Sequence, residues 1–215
     1  MSSSSVIRVF IADDHPVVRQ GLGRIVEADQ GFTIAGEAAE AAALLDALQR
    51  VATDVLLLDV SMPGGGFLDT LSTVRERHPT VRVLVLSVHP EDQWAVRALR
   101  AGASGYLTKD HSPAQLLAAI RRVHSGGKYV SEALAEQLAS HVHHGTDRAP
   151  HERLSDREFE VMRRLGNGQT GSQISADLGL SPKSVSTYRT RVLAKMGLET
   201  NADLVRYAAG HGLIS

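Results

Sequence analysis

Five polar side chains in the N-terminal half of the chain have the types and spacing that phosphoryl chemistry requires. Each ends or follows a short apolar run, and they are Asp13, Asp14, Asp59, Ser87 and Lys109. Because the ligand site of an open parallel sheet lies outside the carboxyl ends of its strands, we expect these side chains to meet at one edge. Asp59 is the most informative of them, since an ionisable residue between the apolar run 55–58 and a Pro-Gly turn is badly placed for stability alone.

Together the five side chains match the needs of a metal-assisted phosphoryl transfer. Mg²⁺ takes oxygen ligands, and a cation relieves the repulsion among close carboxylates, so we predict a Mg²⁺ site at Asp13, Asp14 and Asp59. An aspartate can also act as a nucleophile toward phosphorus, which would form an aspartyl-phosphate at Asp59. The ammonium of Lys109 and the hydroxyl of Ser87 would then neutralise and hydrogen-bond the phosphoryl oxygens.

Each of these residues also has an ordinary structural explanation. An Asp-Asp pair after a strand is common at the start of a helix, where a carboxylate accepts backbone N–H groups. A lysine at the end of a strand is usually a solvated rim residue, and a serine there indicates nothing by itself. Only the joint spacing of the five residues favours a functional site.

An alternation of apolar runs and amphipathic stretches predicts the elements that hold these residues. Strands are predicted near 6–12, 33–38, 55–59, 82–87 and 105–108, and helices near 16–28, 40–51, 67–77, 91–101 and 112–125. Strands that alternate with helices of this length predict βαβ units and a parallel sheet with right-handed crossovers. The Gly126-Gly127 pair is predicted to close the fifth helix, so the first domain spans residues 1–128.

Composition and length narrow the class of protein. The chain has 215 residues, enough for two domains, and its net charge is −1. It contains no cysteine, which excludes a disulfide framework, a thiol nucleophile and a thiolate metal site. The sequence has no apolar run long enough for a membrane span, and its serine-rich start does not resemble a secretory signal. We therefore expect a cytoplasmic protein without a membrane partner.

The segment 129–150 is predicted to be a linker. Leu134, Leu138 and Val142 lie four residues apart, which predicts a helix over 131–144. His141, His143 and His144 follow no strong metal-site template, and no carboxylate pair accompanies them. We therefore interpret these histidines as part of a solvated linker.

The remaining residues, 151–215, are predicted to form four helices. Ser155 and Glu158 have capping-box spacing, Thr170 is placed to cap a second helix, and Asn201 to cap the last. The third helix follows the turn 179–182, and between Pro182 and Gly197 its charged residues are all basic. Two helices joined by a Gly-containing turn, the second of them basic, are typical of a helix-turn-helix.

The third helix divides into a buried side and a side that would contact DNA. The predicted buried residues are Val185, Val192, Leu193 and Met196. The predicted DNA-contacting residues are Lys183, Ser184, Ser186, Thr187, Arg189, Thr190, Arg191 and Lys195. Lysine and arginine would meet phosphates, and the hydroxyls could contact phosphates or base edges. The alternative is a polar helix face that is merely solvated.

Four segments of the first domain resemble the receiver domain of bacterial two-component response regulators: Ile11–Pro16, Leu58–Gly64, Val85–Ser87 and Gly102–Asp110. The resemblance implies an α/β fold, a doubly wound (βα)₅ parallel sheet in the order 2-1-3-4-5. It implies that Asp59 accepts a phosphoryl group from a sensor histidine kinase and that Lys109 contacts this group. Mg²⁺ would be held by Asp13, Asp14, Asp59 and the backbone carbonyl of Ser61. Ser87 and Tyr106 would form the switch pair, in which the hydroxyl moves toward the phosphate and the aromatic ring turns inward.

The sequence departs from the receiver pattern at two positions. The family usually has a glycine eight positions after the phosphorylated aspartate, and here that position is Phe67, preceded by Gly64-Gly65-Gly66. We therefore expect this loop to be more flexible and its contact with a kinase or with the switch to be unusual. Ser87 stands where threonine is commoner, a change that retains the hydrogen-bond donor.

Residues 154–214 resemble the LuxR-type four-helix DNA-binding domain, and the whole chain is similar to the NarL/FixJ subfamily of transcriptional regulators. This resemblance implies promoter DNA as a partner, with Ser186, Thr187 and Thr190 facing bases and Lys183, Arg189 and Arg191 on the backbone. It implies a homodimer on DNA that forms through the last helix. The residues expected there are Asn201, Leu204 and Val205. RNA polymerase is a further partner that the resemblance allows.

Two other functions remain open on the sequence alone. The chain could be a phosphorelay or interaction protein whose helical tail binds protein rather than DNA. It could also be a metal-dependent phosphatase with an aspartate nucleophile, although haloacid-dehalogenase-like enzymes need a second aspartate two positions after the first, where this chain has Ser61. We expect a phosphoacceptor with at most slow self-dephosphorylation rather than an enzyme.

Overall fold

A five-stranded parallel sheet lies at the centre of the first of two compact units, Met1–Ala139 and Ser140–Ser215. The computed structural model describes residues 6–87, 91–132, 134–136 and 149–214. The strands run in the order β2-β1-β3-β4-β5 and all pairs are parallel, which confirms the predicted α/β fold and strand order.

The strands and helices of the first unit alternate along the chain. The strands are β1 (Ile7–Ala12), β2 (Phe32–Ala38), β3 (Val55–Asp59), β4 (Arg82–Ser87) and β5 (Gly105–Thr108). The helices are α1 (Pro16–Glu27), α2 (Ala41–Leu48), α3 (Phe67–Arg77), α4 (Glu91–Arg100) and α5 (Pro113–His124). These bounds agree closely with the predicted ones, apart from α2, which ends at Leu48 because the amides of Arg50 and Val51 both turn back to the carbonyl of Ala47.

The central strands are apolar on both faces because helices cover both sides of the sheet. All five residues of β3 are buried, including Asp59 at its end. A parallel sheet covered in this way requires near-continuous apolar strands, since each face packs on a helix layer. One buried cluster joins Val9, Leu57 and Leu84 of the sheet to Leu116 and Ile120 of α5. The sheet is therefore a rigid platform for the residues at its carboxyl edge.

The chain continues along the sheet beyond the predicted end of the first domain at residue 128. The carbonyl of Tyr129 accepts a hydrogen bond from the amide of Tyr106, and the amide of Tyr129 donates to the carbonyl of Ser104. Glu132 and residues 134–136 are helical, and Leu134 is buried. The rest of the helix predicted over 131–144, with His141, His143 and His144, lies outside the described residues.

The second unit is helical, as predicted. A short 3₁₀ turn (Pro150–Arg153) precedes α6 (Asp156–Gly166), α7 (Gly171–Leu178), α8 (Pro182–Met196) and α9 (Asn201–Gly210). Among the described residues, no helix has the length and apolar character needed to span a membrane.

Hydroxyl side chains begin all four of these helices. The predicted capping box at Ser155 is present. Thr170 caps its helix as predicted, and Gln173 completes a capping box there as well. The prediction that Asn201 caps the last helix is wrong by one residue. Thr200 is the cap, because its hydroxyl accepts a hydrogen bond from the amide of Asp203 at 3.1 Å while the Asp203 carboxylate accepts from the amide of Thr200. Asn201 is therefore the first residue of α9 and its side chain is free for another contact.

Candidate functional site

The carboxyl edge of the sheet brings four of the predicted site residues into contact. Asp13 follows β1, Asp59 ends β3 and Lys109 follows β5. The ammonium of Lys109 lies 2.6 Å from Asp13 Oδ2 and 3.0 Å from Asp59 Oδ1. Asp14 is the next residue along from Asp13 and one of its carboxylate oxygens belongs to the same cluster of potential ligand atoms. These residues are far apart in the sequence but close in space, because the parallel strands that carry them end at the same edge of the sheet.

Burial controls the charge state of this cluster. Asp59 is 3% exposed, and burial raises its pKa to about 6, against the lowering influence of Lys109 and with a further rise from Asp13 and Asp14. Burial also disfavours the charged form of Lys109, but its bonds to Asp13 and Asp59 outweigh this effect and its pKa is raised. The site thus combines a permanent cation with a carboxyl group that is easily protonated.

Three backbone contacts hold Asp13 in place. Its carboxylate oxygen Oδ1 accepts a hydrogen bond from the amide of His15 at 2.8 Å. Its amide donates to the carbonyl of Ala38 on β2, and its carbonyl accepts from the guanidinium of Arg19 at 2.6 Å. Asp13 therefore connects β1 to the start of α1. The N-cap residue of this helix, His15, makes no side-chain cap. The Asp-Asp pair does not supply the N-cap residue of α1, although Asp13 accepts one backbone amide just ahead of this helix.

The donor set of the cluster fits a divalent cation. Asp13, Asp14, His15 and Asp59 each offer one ligand atom, and these atoms all lie within 4.8 Å of one another. Asp59 Oδ2 is buried and accepts no hydrogen bond from any of the described residues. A buried carboxylate oxygen without a donor is costly, and a cation or a covalent partner would remove that cost. The sequence prediction did not include His15, although its position directly after the two aspartates was the signal available.

Ser87 lies on β4, the strand next to β3, and Tyr106 lies on β5, one strand farther out. Asp59 pairs with Leu86 in the register of β3 and β4, so Ser87 lies one residue farther along the same edge. Ser87 is 1% exposed, and its carbonyl accepts a hydrogen bond from the amide of Lys109 at 2.7 Å. Tyr106 is fully buried opposite Val85. Ser61, whose carbonyl was predicted as a ligand, lies in the turn directly after β3.

The loop between β3 and α3 is tied down at two points. The carbonyl of Pro63 accepts a hydrogen bond from the amide of Ala41 at 3.1 Å, and the carbonyl of Gly66 accepts from the hydroxyl of Thr70 at 3.0 Å. Gly64 has φ +86°, a backbone conformation that a glycine adopts without strain. The predicted extra flexibility of this loop stays a prediction.

The helix α8 has the predicted buried side, with Val185, Val192, Leu193 and Met196 in the core. Most of its predicted DNA-contacting residues are exposed: Lys183, Ser186, Thr187, Thr190, Arg191 and Lys195. The hydroxyls of Thr187 and Thr190 donate to carbonyls one turn earlier in the helix, and Ser184 joins the cap at Ser181. These exposed residues form one polar face.

The four cations of α8 differ in their contacts. Lys195 Nζ lies 2.7 Å from Glu158 Oε2, and Arg189 Nε donates to Asn201 Oδ1 at 2.7 Å. Lys183 and Arg191 form no ion pair with any residue in the described part of the chain. The charge of Lys195 is therefore already engaged by α6, whereas those of Lys183 and Arg191 remain available for phosphates.

The residues predicted for a dimer surface on α9 separate into two groups. Val205 is 38% exposed and Asn201 is exposed. Leu204 is fully buried, since it lies with Ala208 on the side of α9 that faces Gly166 of α6. The prediction that Leu204 contributes to a dimer surface is therefore corrected, because its side chain belongs to the core of its own unit.

Each of the two units matches a known protein family. Residues 9–121 match the family described as "Response regulator receiver domain", and residues 152–208 match "Bacterial regulatory proteins, luxR family". The chain is 36% identical over 209 residues to the response regulator UvrY of Escherichia coli, covering 97% of this chain and 96% of that protein. It is 35% identical to the response regulator GacA of Pseudomonas viridiflava over 97% of this chain and 98% of that one.

Solved structures of RcsB from Salmonella are similar over nearly the whole chain. One RcsB structure has a TM-score of 0.79 at 25% identity, covering 96% of this chain and 98% of that one. Another, bound to promoter DNA in the presence of the phosphomimetic BeF₃⁻, has a TM-score of 0.74 at 25% identity and covers 96% and 100% of the two chains. The chain belongs to the response regulators of two-component systems. Within them it is one that joins a receiver domain to a LuxR-family DNA-binding domain.

Proposed function

We propose that Asp59 accepts a phosphoryl group from a sensor histidine kinase and that this modification raises the affinity of a dimer of the chain for promoter DNA. The observation that supports the first half is Asp59 Oδ2, a buried carboxylate oxygen that accepts no hydrogen bond from the described residues although a lysine and two further carboxylates surround it. A merely structural carboxylate in that position would be expected to have partners for both oxygens.

In the proposed reaction, a carboxylate oxygen of Asp59 attacks the phosphorus of a phosphohistidine on the kinase. The new P–O bond forms as the P–N bond breaks, and the released imidazole takes up a proton. Lys109, already 3.0 Å from Asp59 Oδ1, neutralises charge on the transferred group, and Asp13 keeps that ammonium in place. Mg²⁺ held by Asp13, Asp14, Asp59 and the carbonyl of Ser61 would shield the negative oxygens of the phosphoryl group.

Ser87 and Tyr106 are proposed to report the modification to the rest of the receiver unit. Ser87 lies beside the end of β3, so its hydroxyl can turn toward a phosphoryl group on Asp59. We propose at most slow self-dephosphorylation and no further turnover. Phosphatase activity toward a small phosphate ester would revive the alternative of an aspartate-dependent phosphatase.

DNA is the proposed partner of the second unit. The polar face of α8 carries two cations that form no ion pair with any described residue, Lys183 and Arg191, and phosphate contacts need such cations. The match to the luxR family supports this choice over a tail that binds protein.

A two-fold dimer would place two copies of α8 on paired half-sites, with α9 and its exposed Val205 as the proposed contact. A DNA-binding regulator is expected to work in the cytoplasm, and RNA polymerase is a proposed further partner.

Phosphorylation by a small-molecule donor tests the proposal. The full chain should be phosphorylated by acetyl phosphate in the presence of Mg²⁺, and mass spectrometry should locate the phosphoryl group on Asp59. Asp59→Asn should abolish the modification, whereas Asp54→Asn, which removes a carboxylate at the opposite end of β3, should not. Modification of both variants alike would refute the assignment of Asp59.

A second measurement separates DNA binding from protein binding. The full chain, with Mg²⁺ and BeF₃⁻, should select a subset of genomic DNA fragments, and Lys183→Ala together with Arg191→Ala should weaken this binding on every fragment. Retention of a protein from the same cells, with no selection of DNA, would favour the alternative of an interaction protein.

A further inference from the structure

The first residue of α3 is buried against α4 through an aromatic contact. Phe67 is 6% exposed, and Trp94 on α4 is 3% exposed. Their ring centroids are 5.5 Å apart and the rings meet edge to face at 83°. Pairs in this arrangement contribute more than their buried area alone, because the positive edge of one ring meets the negative face of the other. The contact therefore joins two helices at a defined point.

The Phe67 end of this contact is close in the chain to the phosphoacceptor. Residues 60–66 are all that separates Phe67 from Asp59. The loop is held to α2 at Pro63, and Gly66 is held to the first turn of α3 by the hydroxyl of Thr70. The loop after Asp59 therefore leads directly into the first turn of α3, which carries Phe67.

The Trp94 end is close in the chain to the proposed switch residue. Ser87 is the last residue of β4, and α4 begins at Glu91, so residues 88–90 alone lie between them. Trp94 is in the first turn of α4. Each ring is thus separated by a short stretch of sequence from a residue of the proposed phosphorylation site, Phe67 from Asp59 and Trp94 from Ser87.

We propose that Phe67 and Trp94 form a direct connection between the phosphoacceptor loop and α4, through which occupancy of Asp59 changes the position of α4. This inference rests on the proposed function of Asp59. A glycine at position 67, the residue usual in the receiver family, has no side chain that could reach Trp94. Phe67 is therefore a positioning residue that gives this chain a second connection, beside the one through Ser87 and Tyr106.

The single tryptophan of the chain makes the connection measurable. BeF₃⁻ is added with Mg²⁺ to the full chain, and the fluorescence of Trp94 is followed. The wild-type emission should change to a saturating value, and Asp59→Asn should abolish the change. Phe67→Leu keeps an apolar side chain but removes the ring, so the fluorescence change should fall to less than half. Because pairwise coupling along such connections is about 0.5–2 kcal/mol, the affinity for BeF₃⁻ should change about 2- to 30-fold.

Two further variants separate the connection from general packing. Phe67→Tyr retains the ring and should behave like the wild type. Phe32→Leu removes a buried ring from β2, at the opposite edge of the sheet from β5, and should leave both the fluorescence change and the affinity for BeF₃⁻ unaltered. If Phe67→Leu lacks the far-ultraviolet dichroism of the wild type, Phe67→Met, which fills more of the same volume, takes its place.

Fluorine NMR of bound BeF₃⁻ distinguishes the possible failures. If BeF₃⁻ binds the wild type, and Phe67→Leu or Phe67→Met shows the wild-type fluorescence change and affinity, the connection is overturned while the function of Asp59 stands. If the wild type binds no BeF₃⁻ in the presence of Mg²⁺, the proposed function itself fails. A reduced fluorescence change and an altered affinity in Phe67→Leu or Phe67→Met, with wild-type behaviour in Phe67→Tyr and Phe32→Leu, support the connection.

Discussion

Ionising Asp59 is costly in the folded chain, because the carboxyl group is buried and two other carboxylates lie near it. Its pKa of about 6 lies above the ordinary value of 3.8, so the folded state binds a proton more tightly than the unfolded state does. The free energy of unfolding therefore falls as pH rises between these two values, and the loss persists above pH 6. Binding of a cation or a phosphoryl group would recover this loss, which couples ligand binding to stability.

Replacing Asp59 by asparagine should stabilise the metal-free chain at pH 7, since the variant has no charge to bury. The pKa of Asp59 is raised by about 2 units, which corresponds to a gain of at most about 3 kcal/mol in the free energy of unfolding of the variant. The gain should be fully present above pH 6 and vanish by about pH 4, where the wild-type carboxyl is protonated in both states. Denaturant titrations followed by Trp94 fluorescence measure it, since that residue lies in the first unit.

Asp54→Asn is the matched control, and it should give the opposite sign. The pKa of Asp54 is lowered, chiefly by its hydrogen bond with Arg8, despite partial burial. The wild-type carboxylate thus stabilises the folded chain above its ordinary pKa, and this contribution is lost as pH falls through the lowered value. Asp54→Asn should destabilise the chain at pH 7. Equal effects of the two substitutions at pH 7 would contradict the account of Asp59.

At the scale of elements, apolar periodicity and helix caps were sufficient to predict the sheet, its flanking helices and four helices in the second unit. Residues whose role depends on a contact between elements were not predictable in the same way. Lys195 belongs by its type on a DNA-binding face, yet Glu158, 37 residues earlier, engages its charge. Leu204 was assigned to a surface although the small residue Gly166 on α6 makes room for it in the core. Such partners are distant in sequence and leave no local signal.

The pair of Lys195 and Glu158 connects α8 to α6, so its loss should reduce stability rather than DNA binding. Glu158 is 3% exposed and, despite burial, its pKa is lowered by Lys195 and by the bonds of the cap at Ser155. Lys195→Met would leave this carboxylate without its cation. Because Lys195 itself is about half exposed, we expect a loss of about 1–2 kcal/mol in the free energy of unfolding of the second unit. Thermal unfolding followed by circular dichroism measures it.

Lys183→Met provides the contrast on the same helix. Lys183 forms no ion pair with the described residues, so its replacement should leave the unfolding temperature unchanged. It should instead weaken DNA binding and lower the slope of log affinity against log salt by about 1, the signature of one lost phosphate contact. If Lys195→Met lowered the salt slope and Lys183→Met the stability, the assignment of the two lysines would be reversed.

The whole molecule joins a receiver domain to a LuxR-family DNA-binding domain, and thermodynamics constrains how the two can influence each other. If BeF₃⁻ at Asp59 raises the affinity of the chain for DNA by some factor, DNA must raise the affinity for BeF₃⁻ by the same factor. This reciprocity holds for any arrangement of the two units. It therefore tests the coupling itself, independently of the route by which it travels.

We expect a selected DNA fragment to tighten binding of BeF₃⁻, in the presence of Mg²⁺, by about 5- to 150-fold, the range of typical allosteric couplings. Titrations of BeF₃⁻ with and without DNA measure one direction, and DNA titrations with and without BeF₃⁻ measure the other. Asp59→Asn should abolish the effect of DNA on BeF₃⁻ binding and the effect of BeF₃⁻ on DNA binding, and it should retain the basal affinity for DNA. The double replacement of Lys183 and Arg191 by alanine should abolish the effect of DNA on BeF₃⁻ but retain the binding of BeF₃⁻ alone. Unequal factors in the wild type would mean that binding of DNA or BeF₃⁻ is linked to a further equilibrium, such as association of two copies, and measurement at several protein concentrations would reveal it.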